Sequence, residues 1–274
     1  MTQRIDISLG DVQKTLLLPL WGRANETQKN KPLLVDNTAV EIVQKLNYDL
    51  SPLARNMREI TRFAWIVRSL LMDRVVRQFL LQYPRGTVVN IGCGLDTTFD
   101  RVDNGSCRWL DLDLPDVIAL RRNFIPESER RTFIASSFLD DCWLEQVSRD
   151  DGVFFMVAGV FYYFEEEQVR KFFVRLADRF PVSELICDVS SPMGVRAANK
   201  MVITASGLDE RSFLKWGVKS PSEILEWDPR IRLVRKYAYF RGRKRHLRPK
   251  FWFSAIMVDV LKIQYLVHVK FVAS

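Results

Sequence analysis

Two short stretches hold residues whose types and spacing suit ligand chemistry. One is Ile91-Gly92-Cys93-Gly94-Leu95-Asp96-Thr97; the other is Asp113, 21 residues beyond Gly92. Glycines at 92 and 94 let the backbone turn sharply and leave no Cβ between the chain and a bound molecule. The preceding Thr87-Val88-Val89-Asn90-Ile91 reads as a buried strand, so the loop sits at a strand's carboxyl end, where doubly wound sheets collect ligands. A dinucleotide site asks for a third glycine at position 97 and a helix N-terminus open to a pyrophosphate. Thr97 stands there instead, and Asp96 adds a carboxylate that suits a helix dipole but repels a second anion. S-adenosylmethionine (SAM) has no phosphate and carries a cationic sulfonium, so this acidic loop suits SAM better than NAD.

Asp113 closes a second strand-like run, Arg108 to Asp113. A carboxylate at that point can accept hydrogen bonds from both hydroxyls of an adenosine ribose. Asp111 shares its face at strand spacing. The plain alternative is an aspartate capping the helix that follows Pro115; the glycine loop correctly placed before it favours ligand binding.

The elements that must position these residues fall into two zones. Up to residue 84 the pattern is helical: apolar residues recur at three- and four-residue steps over Val40–Leu46 and again through Ile60, Phe63, Val67, Leu71, Val75 and Phe79. Tyr83-Pro84-Arg85-Gly86 ends that run. From 85 to 274 short apolar runs alternate with helical stretches. Strands are expected at 87–91, 108–113, 132–136, 152–157 and 184–189, with a helix from Asp116 and another over 165–180. Such alternation predicts an α/β fold, a doubly wound, mostly parallel sheet carrying an N-terminal helical cap. Residues 231–240 and 251–260 are expected to close the sheet as an antiparallel pair.

The combination resembles the leucine carboxyl methyltransferase family. The likeness rests on Val89 to Thr97, on Asp113-Leu114-Pro115 and on Gly159-Val160-Phe161-Tyr162-Tyr163-Phe164, with Leu18-Pro19-Leu20-Trp21-Gly22-Arg23-Ala24 similar to its bacterial branch. It implies a Rossmann-like, SAM-dependent O-methyltransferase acting on a carboxylate or hydroxyl of a small, polyketide-like molecule or a peptide carboxylate. It also implies that an arginine before the first strand, Arg68 here, clamps the SAM carboxylate, as a guanidinium can through parallel hydrogen bonds. Gly92, Cys93, Gly94, Asp96, Asp113 and Leu114 then complete the cofactor site. Three positions depart from the family pattern: Thr98 replaces an arginine although Arg101 survives, Ser137 replaces an acidic residue after the third strand, and Ala158 replaces one before Gly159. The adenine amine is accordingly expected to meet Ser137 or a backbone carbonyl near Phe138.

Tyr162, Tyr163 and Arg23 are the acceptor-site candidates, with Trp21 beside Arg23 in the cap; aromatic packing is the plain reading of the tyrosines. A carboxylate acceptor arrives ionised, whereas a phenol or alcohol needs deprotonation. No single catalytic base stands out. The substitutions at 137 and 158 also motivate a second reading, a SAM-binding regulatory protein without turnover.

Composition bounds the rest. With 47% hydrophobic and 12% aromatic residues the chain can bury a sizeable core. Four scattered cysteines and two histidines predict reduced core thiols, no disulfide frame and no metal centre. Charged residues interrupt the first twenty positions and the apolar tail, so neither a signal peptide nor a membrane span is expected, which points to the cytoplasm. The net charge is +8, and Arg241, Arg243, Lys244, Arg245, Arg248 and Lys250 crowd one stretch. A solvated loop is the plain reading and nucleic acid is not the expected partner. A third reading places the 241–250 stretch on RNA or, as a weak peripheral contact, on anionic membrane.

Overall fold

The computed structural model describes residues 4–7, 9–10, 12–51, 57–204 and 210–273. Seven strands form one sheet in the order β3-β2-β1-β4-β5-β7-β6. They are β1 (Thr87–Ile91), β2 (Arg108–Asp113), β3 (Arg131–Ala135), β4 (Val153–Val157), β5 (Glu184–Val189), β6 (Ile231–Ala238) and β7 (Tyr265–Phe271). The first five pair in parallel, and β7 runs antiparallel between β5 and β6. β1 and β4 are buried at every position, as strands covered on both faces must be. The order reverses between β1 and β4, so a crevice opens at their carboxyl ends.

Helices α1 (Leu17–Thr27), α2 (Asn37–Lys45) and α3 (Glu59–Gln82) precede the sheet. Asp36 caps α2 by accepting from the Ala39 amide. On α3 the periodic residues Phe63, Val67, Leu71, Val75 and Phe79 pack against Val88, Trp109, Phe154 and Met156, so this helix covers the sheet directly. α1 and α2 form a separate cluster with Cys93, Leu95, Ile118 and Phe133 beside the β1 loop. The remaining helices that matter are α4 (Thr98–Val102), α5 (Pro115–Arg122) and α6 (Glu166–Arg179). Glu165 and Gln168 close a reciprocal capping box at the start of α6.

Two expectations are corrected. Residues 251–260 do not form a strand; Trp252–Val260 is a helix (α7 in the numbering used here), and the partner of β6 is β7. The apolar residues Phe253, Ile256 and Val260 recur at helical steps on an exposed face while Ala255 is buried, a period that a strand cannot satisfy. The four cysteines are all free, but Cys142 is exposed rather than in the core.

Candidate functional site

The carboxyl ends of β1, β2, β4 and β5 stand side by side, because Ile91 pairs with both Leu112 and Val157, and Val157 pairs with Cys187. Residues 92–97, 113–114, 158–163 and 188 therefore gather along one edge. Gly92 and Gly94 have positive φ, +63° and +47°. A Cβ at Gly92 would stand 2.2 Å from Val160, and one at Gly94 3.3 Å from Leu16, so both glycines are required by close approach as well as by backbone shape.

Asp113 links the two strands. Its carboxylate accepts the Gly94 amide at 2.7 Å and the Leu114 amide at 2.8 Å. Burial pushes the carboxyl up to about 6, although those two amides and Arg121 pull the other way. The ionised form is thus short of donors, a deficit that two ligand hydroxyls would fill. Leu114 is exposed at the rim. The Cys93 side chain packs in the α1–α2 cluster, and burial holds its thiol well above the usual range, so only its backbone is available at the crevice.

Asp96, just before the N-cap Thr97 of α4, accepts the Thr98 amide at 2.8 Å. Burial alone would raise its carboxyl, but Arg23, Arg101 and that amide bring it down to about 2. Arg101 is the centre of the supporting network. It grips both oxygens of Asp73 at 2.8 and 2.9 Å, one oxygen of Asp36 at 2.9 Å, and the hydroxyls of Thr97 and Thr98 at 2.7 and 3.0 Å. Thr98 therefore serves Arg101 where the family pattern has another arginine. Arg23 is buried, donating to Asp36 and to the Leu95 carbonyl, both at 2.8 Å. It braces the loop, since a buried guanidinium needs its carboxylate and Asp36 holds it.

At the end of β3 the carbonyl of Phe138 does not await a ligand. It accepts from Arg175 Nη2 at 2.7 Å and from Trp143 Nε1 at 3.4 Å, and the Leu139 carbonyl accepts from Arg175 Nη1 at 2.7 Å. Ser137, the other expected adenine contact, precedes Phe138 by one residue. Its amide donates to Asp140 at 3.1 Å, so a carboxylate does reach this turn, from three residues further on.

Across the crevice a carboxylate also appears where the β4 end lacks one. Asp188, on β5 alongside Ala158, accepts the Gly159 amide and Arg68 Nη1, each at 2.7 Å. Gly159 has φ +78°, and a Cβ there would meet Arg68 Nη1 at 2.9 Å. Burial works against the charge of Arg68, and Asp188 more than restores it. Arg68 is thus a paired cation, with one of its nitrogens committed. Tyr162 is buried and its hydroxyl accepts from Gln264 at 3.3 Å; Tyr163 donates to Thr15 at 3.1 Å. Tyr239, just past β6, is fully buried next to Arg68, Asp188 and Tyr162, and among the described residues its hydroxyl has no partner. Burial raises all three phenols, so they stay protonated near neutrality. Asp188, Tyr239 and Gln264 were not singled out in the sequence. The signal for Asp188 was a carboxylate at the end of an apolar strand, the same signal that marks Asp113.

The sequence pattern of the leucine carboxyl methyltransferase family matches residues 17–177. The chain belongs to that family. The match spans α1 through α6 and includes the glycine loop, Asp113 and the Gly159–Phe164 turn. The chain is 28% identical over 237 residues to the tetracenomycin polyketide synthesis O-methyltransferase TcmP of Streptomyces glaucescens, covering 85% of this chain and 84% of that protein. It is 27% identical over 188 residues to the S-adenosyl-L-methionine-dependent methyltransferase dpfgK of Gibberella zeae, covering 64% and 63%. A crystal structure of a DUF574 family protein from Streptomyces avermitilis shares the fold, with a TM-score of 0.59 and 13% identity over 91% of this chain and 96% of that one. The protein is a SAM-dependent methyltransferase. Among the described residues no cluster of His, Cys, Asp or Glu suits a metal, and no helix is long and apolar enough to cross a membrane.

Proposed function

We propose that this enzyme methylates an oxygen of a small organic acceptor that arrives ionised, a carboxylate or an acidic phenol. The observation that carries the reading is the character of the side chains at the β4–β5 end of the crevice: the buried phenols of Tyr162 and Tyr239 and the half-buried one of Tyr163, held protonated beside an ion pair, with no imidazole among them. Such groups donate hydrogen bonds and orient an anion; at neutral pH they do not remove a proton. The name of the Streptomyces glaucescens relative, an O-methyltransferase of polyketide synthesis, supports the same acceptor class.

In this reading Asp113 accepts from the ribose hydroxyls and Leu114 borders the adenosine at the rim. Ser137, with Asp140 behind it, receives the adenine edge. The left-handed turns at Gly92 and Gly94 set the course of the loop along which the amino-acid half lies. Arg68 takes the cofactor's carboxylate with the donors it does not use on Asp188, and Asp188 takes the ammonium. SAM, when bound, supplies a methyl group on a cationic sulfur for in-line displacement. Tyr162 and Tyr239 then hold the acceptor oxygen on line, and burial keeps water away from the approaching charges.

Turnover of labelled SAM against a panel of carboxylic acids, phenols and amines tests this. Methyl esters or aryl methyl ethers are the expected products, with weakly acidic alcohols inert. Products methylated only on nitrogen, or none from a protein that binds SAM, would contradict it.

A further inference from the structure

A second feature lies away from the crevice, on the face built by β6, the 241–250 loop and α7. A groove of about 900 Å³ there is lined by Arg74, Arg235, Lys236, Arg241, Arg243 and Lys244. Among the described residues none of these six cations forms an ion pair, in contrast to Arg230 and Arg248 nearby, which pair with Asp228 and Glu59. The groove's one carboxylate, Asp259, accepts the Phe240 amide on both oxygens at 3.1 Å and offsets only part of the charge of Lys236 and Arg243. Unpaired like charges this close repel one another, and the strain shows in Lys236 and Arg243. Each is lowered by burial and then by a neighbouring cation, Lys262 and Arg74 respectively.

Beside the groove α7 turns an apolar stripe to solvent. Phe253 is 74% exposed and Val260 65%, with Ile256 between them and Trp252 at the edge of the same face. Lys244 lies 5.7 Å over the Trp252 ring, which ties the cationic loop to the stripe. The combination of an exposed apolar helix face with unpaired cations along its border is that of an interfacial helix.

We propose that α7 and the 241–250 loop form a docking surface for an anionic lipid bilayer. The Phe253–Val260 stripe enters the headgroup boundary, and the six groove cations receive anionic headgroups. Charge complementarity selects this occupant. A second copy of the chain, meeting face to face, would set six unpaired cations against six. An RNA strand would match the cations but leaves the aliphatic Ile256 and Val260 exposed. With no helix able to span a membrane among the described residues, the contact is peripheral.

Co-sedimentation of the full chain with vesicles tests the proposal, comparing phosphatidylcholine alone with phosphatidylcholine mixed with phosphatidylglycerol. Binding to the mixed vesicles only, with release in high salt, is expected. The triple variant R241E/R243E/K244E should lower the partition coefficient about a hundredfold, at roughly fivefold per cation before counting repulsion. F253E should lower it at least about tenfold at unchanged charge on the loop. SAM binding by both variants should match the wild type, which shows that they fold. No binding to mixed vesicles, equal binding to neutral ones, or a salt-sensitive RNA complex without vesicle binding would each overturn the proposal.

Discussion

Around the loop after β1, Arg101 holds Asp73 and Asp36, Arg23 donates to the same Asp36 oxygen, and Asp96 accepts the first amide of α4 under their influence. At the ends of β4 and β5, Arg68 has Asp188, but Tyr239 beside them donates to nothing and Asp113 opposite is short of donors. The first region is complete in the free protein. The second is not, and a buried hydroxyl without a partner costs about 1–3 kcal/mol. Placing the deficit at the crevice and the satisfaction behind it separates what holds the loop in shape from what meets a ligand.

The largest effect should come from breaking the complete region. Arg101→Met leaves Asp73 and Asp36 buried without their shared cation and should cost about 3–5 kcal/mol in urea unfolding. A loss below 1 kcal/mol would mean that the network is ornamental. Asp113→Asn should do the reverse, leaving stability nearly unchanged while weakening SAM binding about 10- to 100-fold in calorimetry, the scale of hydrogen bonds to a charged group.

The shift of Asp113 gives that comparison a pH dependence. Its carboxyl is raised from 3.8 to about 6, so the ligand-free fold takes up a proton that the unfolded chain does not. The stability it contributes is full below the unfolded value and is lost as pH rises through about 6. Ribose hydroxyls need the ionised acceptor, so SAM affinity should fall as pH drops through the same window. In Asp113→Asn the affinity should be flat there.

Asp188→Asn should raise the KM for SAM about tenfold through the loss of the charge opposite Arg68. Ala158→Glu in the same background should recover much of it, since the acidic position usual in the family adjoins Asp188 in register. Failure of that second change to rescue would show that Asp188 acts only on Gly159. The smallest effect belongs to Tyr239→Phe. Removing an unpartnered hydroxyl should leave the melting temperature unchanged or slightly higher, while the KM for the acceptor rises a fewfold. A clear loss of stability would mean that the hydroxyl is satisfied in the free protein.

The strand ends that frame the β1 loop were more legible in the sequence than the side chains that meet there. Gly92, Gly94 and Asp113 lie within a strand–loop–strand segment whose buried runs are bounded by Gly86 and Pro115, so local pattern placed them. The partner of Arg23 was hidden because Asp36 lies on the loop before α2, and no periodicity pairs the two. The donors on the Phe138 carbonyl were hidden for a similar reason: Arg175 arrives from the far end of α6. The incomplete region draws Arg68 from α3, Asp188 from β5, Tyr239 from beyond β6 and Gln264 from before β7. Only the sheet order, with β7 inserted between β5 and β6, brings them together. That insertion was itself hidden, because residues 251–260 are apolar enough for a strand and reveal their helical period only at Phe253, Ile256 and Val260.

A crystal structure with S-adenosylhomocysteine would test the central claim most directly. The account predicts both ribose hydroxyls on the Asp113 carboxylate and the amino-acid end between Arg68 and Asp188, with Tyr239 facing the space beyond the sulfur. A nucleoside bound away from Asp113, or an Arg68–Asp188 pair out of reach of the amino acid, would contradict it.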